Sequence, residues 1–147
     1  MYLERTPEQR MLFESALRFF RAHPNDPPWG EMGELGLIAA AVTEDRGGLG
    51  GSAADIVPIC EAIGESGVHV PYFSSVLLPA AFCELAAVTH PEVLSAFMTG
   101  QSRLAVAHAE RELVFAPEDP TTRADAPGTR IEGSKRRVWD AGRAQIL

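Results

Sequence analysis

Long apolar runs are missing from this 147-residue chain; none approaches the roughly 18 residues that suggest a membrane-crossing helix. Basic residues are few. Lys and Arg number 13 against 20 Asp and Glu, a formal net charge of −7. That argues against non-specific nucleic-acid binding, because a phosphate backbone needs a basic partner. Cysteine is scarce, with only Cys60 and Cys83. Neither has a Cys or His at metal-ligand spacing, so no metal site is expected. Both lie in apolar, helix-like stretches and read as small buried hydrophobes. The opening segment, Met1 to Arg10, is polar and charged, unlike a secretory signal. A disulfide is therefore not expected, and the cytoplasm is the expected location. What remains is ordinary: 46% hydrophobic and 22% charged residues, the composition of a globular protein. The length suits one domain or one and a fraction.

Helix signals dominate the first hundred residues. Thr6-Pro7-Glu8-Gln9 combines a capping threonine, a proline suited to the first helical turn, and a glutamine that can reach back. Leu12, Phe13, Ala16, Leu17, Phe19 and Phe20 follow at helical spacing, and Pro24 ends the run. Asp26-Pro27-Pro28 opens a short second helix carrying Trp29, Met32 and Leu35, with Gly36 as its stop. Leu37 to Val42 is expected to be extended or irregular. Gly47, Gly48, Gly50 and Gly51 then crowd into five positions. A phosphate-cradling loop would need the P-loop lysine and hydroxyl residue, which are absent; the reading is a tight connection open only to glycine.

A third helix is expected over Ser52 to Ser66, capped by Ser52 with Asp55 in its first turn. Its core stripe is Ile56, Ile59, Cys60 and Ile63; Pro58 bends it, and Gly64 and Gly67 close it. After the linker Val70-Pro71-Tyr72, a fourth helix runs from Ser74 or Ser75 to Val88. It is apolar nearly all round and so expected to be central. Thr89-His90-Pro91-Glu92 begins a fifth, with Val93, Leu94 and Phe97 inward and Gly100 at its end. The fold class is mainly α: a bundle of about five helices, residues 1–100, followed by the first strands of a β-domain, residues 101–147. Within the latter, Arg103 to His108 is strand-like, Ala116 to Gly128 a loop, and Thr129–Glu132 with Arg136–Trp139 one strand interrupted at Gly133-Ser134. Ala144 to Leu147 starts another. Two or three strands without a facing layer are too few for an independent sheet, so a downstream segment or a partner chain is expected.

The order of these features resembles the N-terminal part of an acyl-CoA dehydrogenase, a flavoprotein family. The carriers are Thr6 to Phe20, the Trp29–Leu37 stretch, Glu44–Gly50 (similar to a "P-E-x-x-G-G-x-G" turn), and Glu61-Ala62-Ile63-Gly64. Gly100–Glu110 and Ile131–Lys135 resemble the start of the flavin-holding β-domain. The resemblance implies an oxidoreductase of lipid metabolism that takes an α-proton from an acyl-CoA thioester and passes the β-hydride to FAD. It also implies assembly into homo- or hetero-oligomers, and leaves room for an electron-accepting flavoprotein. The family's catalytic carboxylate matches no residue here, so no catalytic base is assigned.

Flavin contacts follow from two matched stretches. The family's "L-T-E-P" corresponds to His108-Ala109-Glu110-Arg111, with Ala109 replacing the threonine hydroxyl. Glu112-Leu113-Val114-Phe115 stands where a glycine- and serine-containing turn is usual. "W-I-T-N" corresponds to Arg137-Val138-Trp139-Asp140. The expected cofactor-binding residues are thus His108, Ala109, Glu110, Arg137, Val138 and Trp139. Two of them keep a second reading: Trp139 as a strand aromatic in the β-domain core, and His108 as a packed or surface histidine. The altered motifs and the stretch from Val70 to Leu78 resemble divergent subunits that pair with a catalytic partner in mixed complexes, often for bulky substrates such as steroid side-chain thioesters. The competing functional readings are a non-catalytic partner subunit and an unrelated helical binding protein.

Overall fold

A computed structural model describes residues 4–86, 90–110 and 120–146. Helix α1 spans Pro7–Ala22. Thr6 caps it as expected: its hydroxyl accepts from Gln9 N at 3.2 Å while the Gln9 carboxamide accepts from Thr6 N at 3.1 Å. Ala16, Phe19 and Phe20 face inward. Helix α3, Ala53–Ser66, is capped by Ser52 and ends at Gly67 with φ 70°, a conformation suited to glycine. The two helices pack on each other, and their seam is edged by ion pairs of Arg5 with Glu61 at 2.5 Å and Arg21 with Glu65 at 2.8 Å. These are exposed pairs, worth about 0–1 kcal/mol each. The larger contribution is apolar: a fully buried Phe20, Ile59 or Met32 stabilises by about 1.5–3 kcal/mol.

Helix α2 covers Trp29–Glu34, and α5 covers Pro91–Met98. They approach closely through glycine. A Cβ on Gly33 would collide with the Thr99 carbonyl, and one on Gly100 would lie 2.5 Å from the Trp29 carbonyl oxygen. Between α2 and α3 the chain makes two 3₁₀ turns, Ala39–Ala41 and Glu44–Arg46, so the irregular reading of Leu37–Val42 holds. The glycine run that follows is a backbone junction. Gly47 and Gly51 have φ of 85° and 72°, and a Cβ on Gly48 would strike the Val42 carbonyl.

Helix α4 is Leu78–Leu85, and a π-helical turn, Phe73–Leu77, runs straight into it. The helical course therefore begins before Ser74, and the expected end at Val88 lies outside the described residues, as does Thr89 of the fifth helix start. α4 buries Pro79, Ala80 and Cys83 but leaves Phe82 52% and Leu85 88% exposed. It is not the central helix its composition suggested, because eight residues turn only one short face to the core. Cys60 is likewise exposed. The buried set on α3 is Pro58, Ile59 and Ala62, and Cys60, two residues past Pro58, is rotated about 200° from it and off that face.

Beyond α5 the fold turns to extended chain, as expected, with fewer regular strands. Arg103–Ala105 is buried, but only Leu104 forms a bridge, parallel, to Ile146. Strands β1, Arg123–Ala124, and β2, Ile131–Glu132, pair antiparallel and are exposed on both faces. Arg136–Trp139 is not a strand. Arg137 and Asp140 have φ of 51° and 59°, which breaks the extended repeat, and Arg143 N and Ala144 N fold back onto the Asp140 carbonyl at 2.9 and 3.1 Å. The expected Glu112–Phe115 and Ala116–Asp119 features, and Leu147, lie outside the described residues.

Candidate functional site

Of the two stretches expected to meet a flavin, His108–Glu110 is held by Lys135 and Arg136, the residues that lead into Arg137–Trp139. Arg136 N donates to the Ala109 carbonyl at 2.7 Å, and Lys135 Nζ reaches the His108 carbonyl at 3.4 Å. Lys135 also pairs with Glu110 at 2.8 Å. The Glu110 carboxylate further accepts from Thr121 N at 2.5 Å, from the Thr121 hydroxyl, and from Thr122 N at 3.0 Å. These bonds, Lys135 first, hold the Glu110 carboxyl well below its ordinary range. Glu110 is thus an internal anchor, tying the 120–122 chain to the 108–110 segment.

Trp139 is 56% exposed. Its ring lies 6.0 Å from that of Phe73, tilted at 59°, and Phe73 is itself 58% exposed. Behind this aromatic pair, the Asp140 carboxylate accepts from the hydroxyls of Ser74 and, at 3.4 Å, Ser75. Arg137 and His108 are exposed, whereas Ala109 and Val138 are half-buried. No motif in the sequence marks Phe73, Ser74, Ser75 or Lys135 as a site residue, and Asp140 closes the stretch matched to "W-I-T-N" without a role of its own there. Asp140 follows directly on Trp139, but its partners lie 66 and 65 residues away, beyond any local pattern.

The junction continues inward to Arg103, whose guanidinium sits 4.1 Å over the Trp29 ring. Burial, then Arg143, lowers its pKa, while Asp140 and Asp26 oppose that shift. Further along α4 lies a second feature without a sequence signal, a cavity of about 460 Å³ lined by Val42, Leu77, Cys83 and Leu94 among others. Arg46 and Glu84, paired at 2.8 Å, also line it. Among the described residues there is no cluster of three or more His, Cys, Asp or Glu able to hold a metal, and no helix long and apolar enough to cross a membrane.

Residues 6–98 match the family described as "Acyl-CoA dehydrogenase, N-terminal domain"; the match spans more than half the chain, which belongs to the acyl-CoA dehydrogenase family. A chain in the crystal structure of the ChsE4-ChsE5 complex from Mycobacterium tuberculosis is similar in fold, with a TM-score of 0.71 at 22% identity. The likeness covers 100% of this chain and 44% of that one, so the present chain spans less than half the length of its structural match. No curated protein is significantly similar.

Proposed function

We propose that the chain forms the N-terminal part of an FAD-dependent acyl-CoA dehydrogenase subunit, acting in α,β-dehydrogenation of an acyl-CoA thioester within a homo- or hetero-oligomer. On this reading residues 1–100 are the helical domain and residues 101–147 belong to the middle β-domain. The observation that carries it is the pairing of His108–Glu110 with Lys135 and Arg136, which lead into Arg137–Trp139, beside a helical domain of this family. FAD, where bound, would supply the hydride-accepting chemistry.

The residues present fit such a group unevenly. Trp139 offers an exposed ring face for stacking. Arg137, exposed on a left-handed turn, supplies a cation for a pyrophosphate, and His108 is exposed on the neighbouring segment. Val138 and Ala109 contribute half-buried backbone and apolar surface. Glu110 acts through the chain, since its carboxylate is taken up by Lys135, Thr121 and Thr122.

That same engagement of Glu110, with Ala109 in place of a hydroxyl residue, favours a second reading: a partner subunit that completes the site of a catalytic one. Co-purification of the full natural chain with its native partner separates the two. The primary reading expects bound FAD whose absorbance bleaches on adding acyl-CoA, and a W139A variant that loses it. A complex that holds FAD and oxidises acyl-CoA unchanged after W139A and R137A substitution would support the partner reading. A correctly assembled complex without flavin would overturn both.

A further inference from the structure

Phe73 and Ser74 are adjacent in sequence, as are Trp139 and Asp140, and the two pairs meet as a double rung. The rings of Phe73 and Trp139 form one contact; the Ser74 and Ser75 hydroxyls on Asp140 form the other. We infer that Asp140 is a positioning residue, holding Trp139 against Phe73 so that the aromatic pair presents a fixed face to a flat conjugated ligand. The inference rests on the flavin-site reading above.

Three observations carry it. First, both hydroxyls converge on the same carboxylate oxygen, Oδ2. Consecutive residues of a regular α-helix diverge by about 100° around the axis and do not readily share one partner. Here they belong to a π-helical turn, a rare distortion found often at functional sites. Second, Asp140 has φ 59°, an uncommon conformation for a residue other than glycine, which persists where the surroundings over-determine it. The bonds from Ser74 and Ser75, with the turn closed by Arg143 N and Ala144 N, provide that determination. Third, Ser75 is fully buried while both rings beside it are more than half exposed. A part-buried polar clamp, with Ser75 at its buried end, thus fixes an open aromatic surface, the reverse of packing rings into a core.

The test uses the full natural chain in its native assembly, labelled with 5-fluorotryptophan, the Trp139 resonance being assigned by its loss in W139F. D140A should shift that resonance toward the position of solvent-exposed indole, and the S74A/S75A pair should do the same. D140N, which keeps one acceptor oxygen for both hydroxyls, should restore it. FAD affinity, by fluorescence quenching, should fall by about three- to tenfold in D140A. The decisive readout is a double-mutant cycle: D140A added to W139A should cost no further affinity, because Asp140 acts through the ring. Additive losses, an unmoved resonance, or a moved resonance with unchanged FAD affinity would each overturn the assignment. A wild-type assembly that binds no FAD would instead sink the flavin reading, and the resonance would then decide alone whether Asp140 holds the ring. If D140A fails to fold, the Ser74 and Ser75 variants carry the same comparison from the helical side.

Discussion

The Tyr72 hydroxyl donates to the Leu37 carbonyl at 2.6 Å, joining the entry to the π-helical turn with the chain just after α2. Both residues are buried, so water cannot replace the phenol. Y72F should therefore lower stability by about 1–2 kcal/mol, seen as a lower urea midpoint at unchanged slope. Burial, then neighbouring Cys60, raises the phenol above its ordinary pKa of 10.0. A neutral phenol favoured by the fold stabilises fully below that value, and the contribution is lost as pH rises toward the higher folded pKa. Y72F should remove this alkaline loss; an identical alkaline profile in the variant would rule out Tyr72 as its source.

Two glycines should respond in opposite directions. In G48A the new methyl meets the Val42 carbonyl, where backbone must move, and a loss of about 1–3 kcal/mol or more is expected. In G64A the methyl meets nothing within 4 Å and sits inside α3, so a gain of about 0.5–1 kcal/mol is expected from helix propensity. Thermal unfolding of the pair reads both signs in one experiment. Equal behaviour would show that the close approach at Gly48 does not constrain the fold.

Those two glycines also mark how far local sequence can be read. Thr6, Ser52, Gly67 and the prolines at helix starts act on neighbours within a few residues, so their roles are plain in the sequence itself. Gly48 is legible there only as punctuation, because its reason is a carbonyl at Val42 in another turn. The strands are the least legible. Arg136–Trp139 has the composition of a strand, but extended chain needs a pairing partner, and at this place Asp140 is recruited by two serines of the helical domain. Cys60 departs from its expected burial for a simpler reason: an apolar residue in an apolar helix carries no mark of which way it faces. Of the site, the two segments carrying His108–Glu110 and Arg137–Asp140 are visible in the sequence; the anchors Lys135 and Phe73, and the serines that hold Asp140, are not.

Glu110 makes the fold acid-sensitive at a definite place. Its hydrogen bonds from Lys135, Thr121 and Thr122 hold its pKa below the ordinary 4.5. A depressed carboxyl pKa contributes stability above the ordinary value and loses it as pH falls through the folded one. A carbon-detected NMR titration should show Glu110 still ionised when exposed glutamates have protonated. E110Q should flatten the acid limb of the stability curve; a Glu110 carboxyl titrating at or above the ordinary 4.5 would refute the anchor.

The cysteines should separate under a thiol reagent. Cys60 is exposed and Cys83 is buried, 5% accessible. Partial desolvation by neighbouring chain raises the Cys60 thiol above the usual 9.0, with Glu61 adding to the shift, and burial raises that of Cys83. Native protein should take one label, at Cys60, at a rate that climbs with pH as thiolate forms. The second should follow only on unfolding. Peptide mapping that found both sites labelled together under native conditions would contradict the buried placement of Cys83.

Arg103 takes its backbone partners from far along the chain. Its N–H donates to the Gln145 side chain at 2.7 Å, and its carbonyl accepts from Gln145 N at 3.0 Å. The two groups stand 42 residues apart, with all of α1 to α5 on the near side of Arg103. A chain cut short of Gln145 would keep every helical residue and lose both of these partners. The closing stretch is thus a clasp on Arg103, adding no helix of its own.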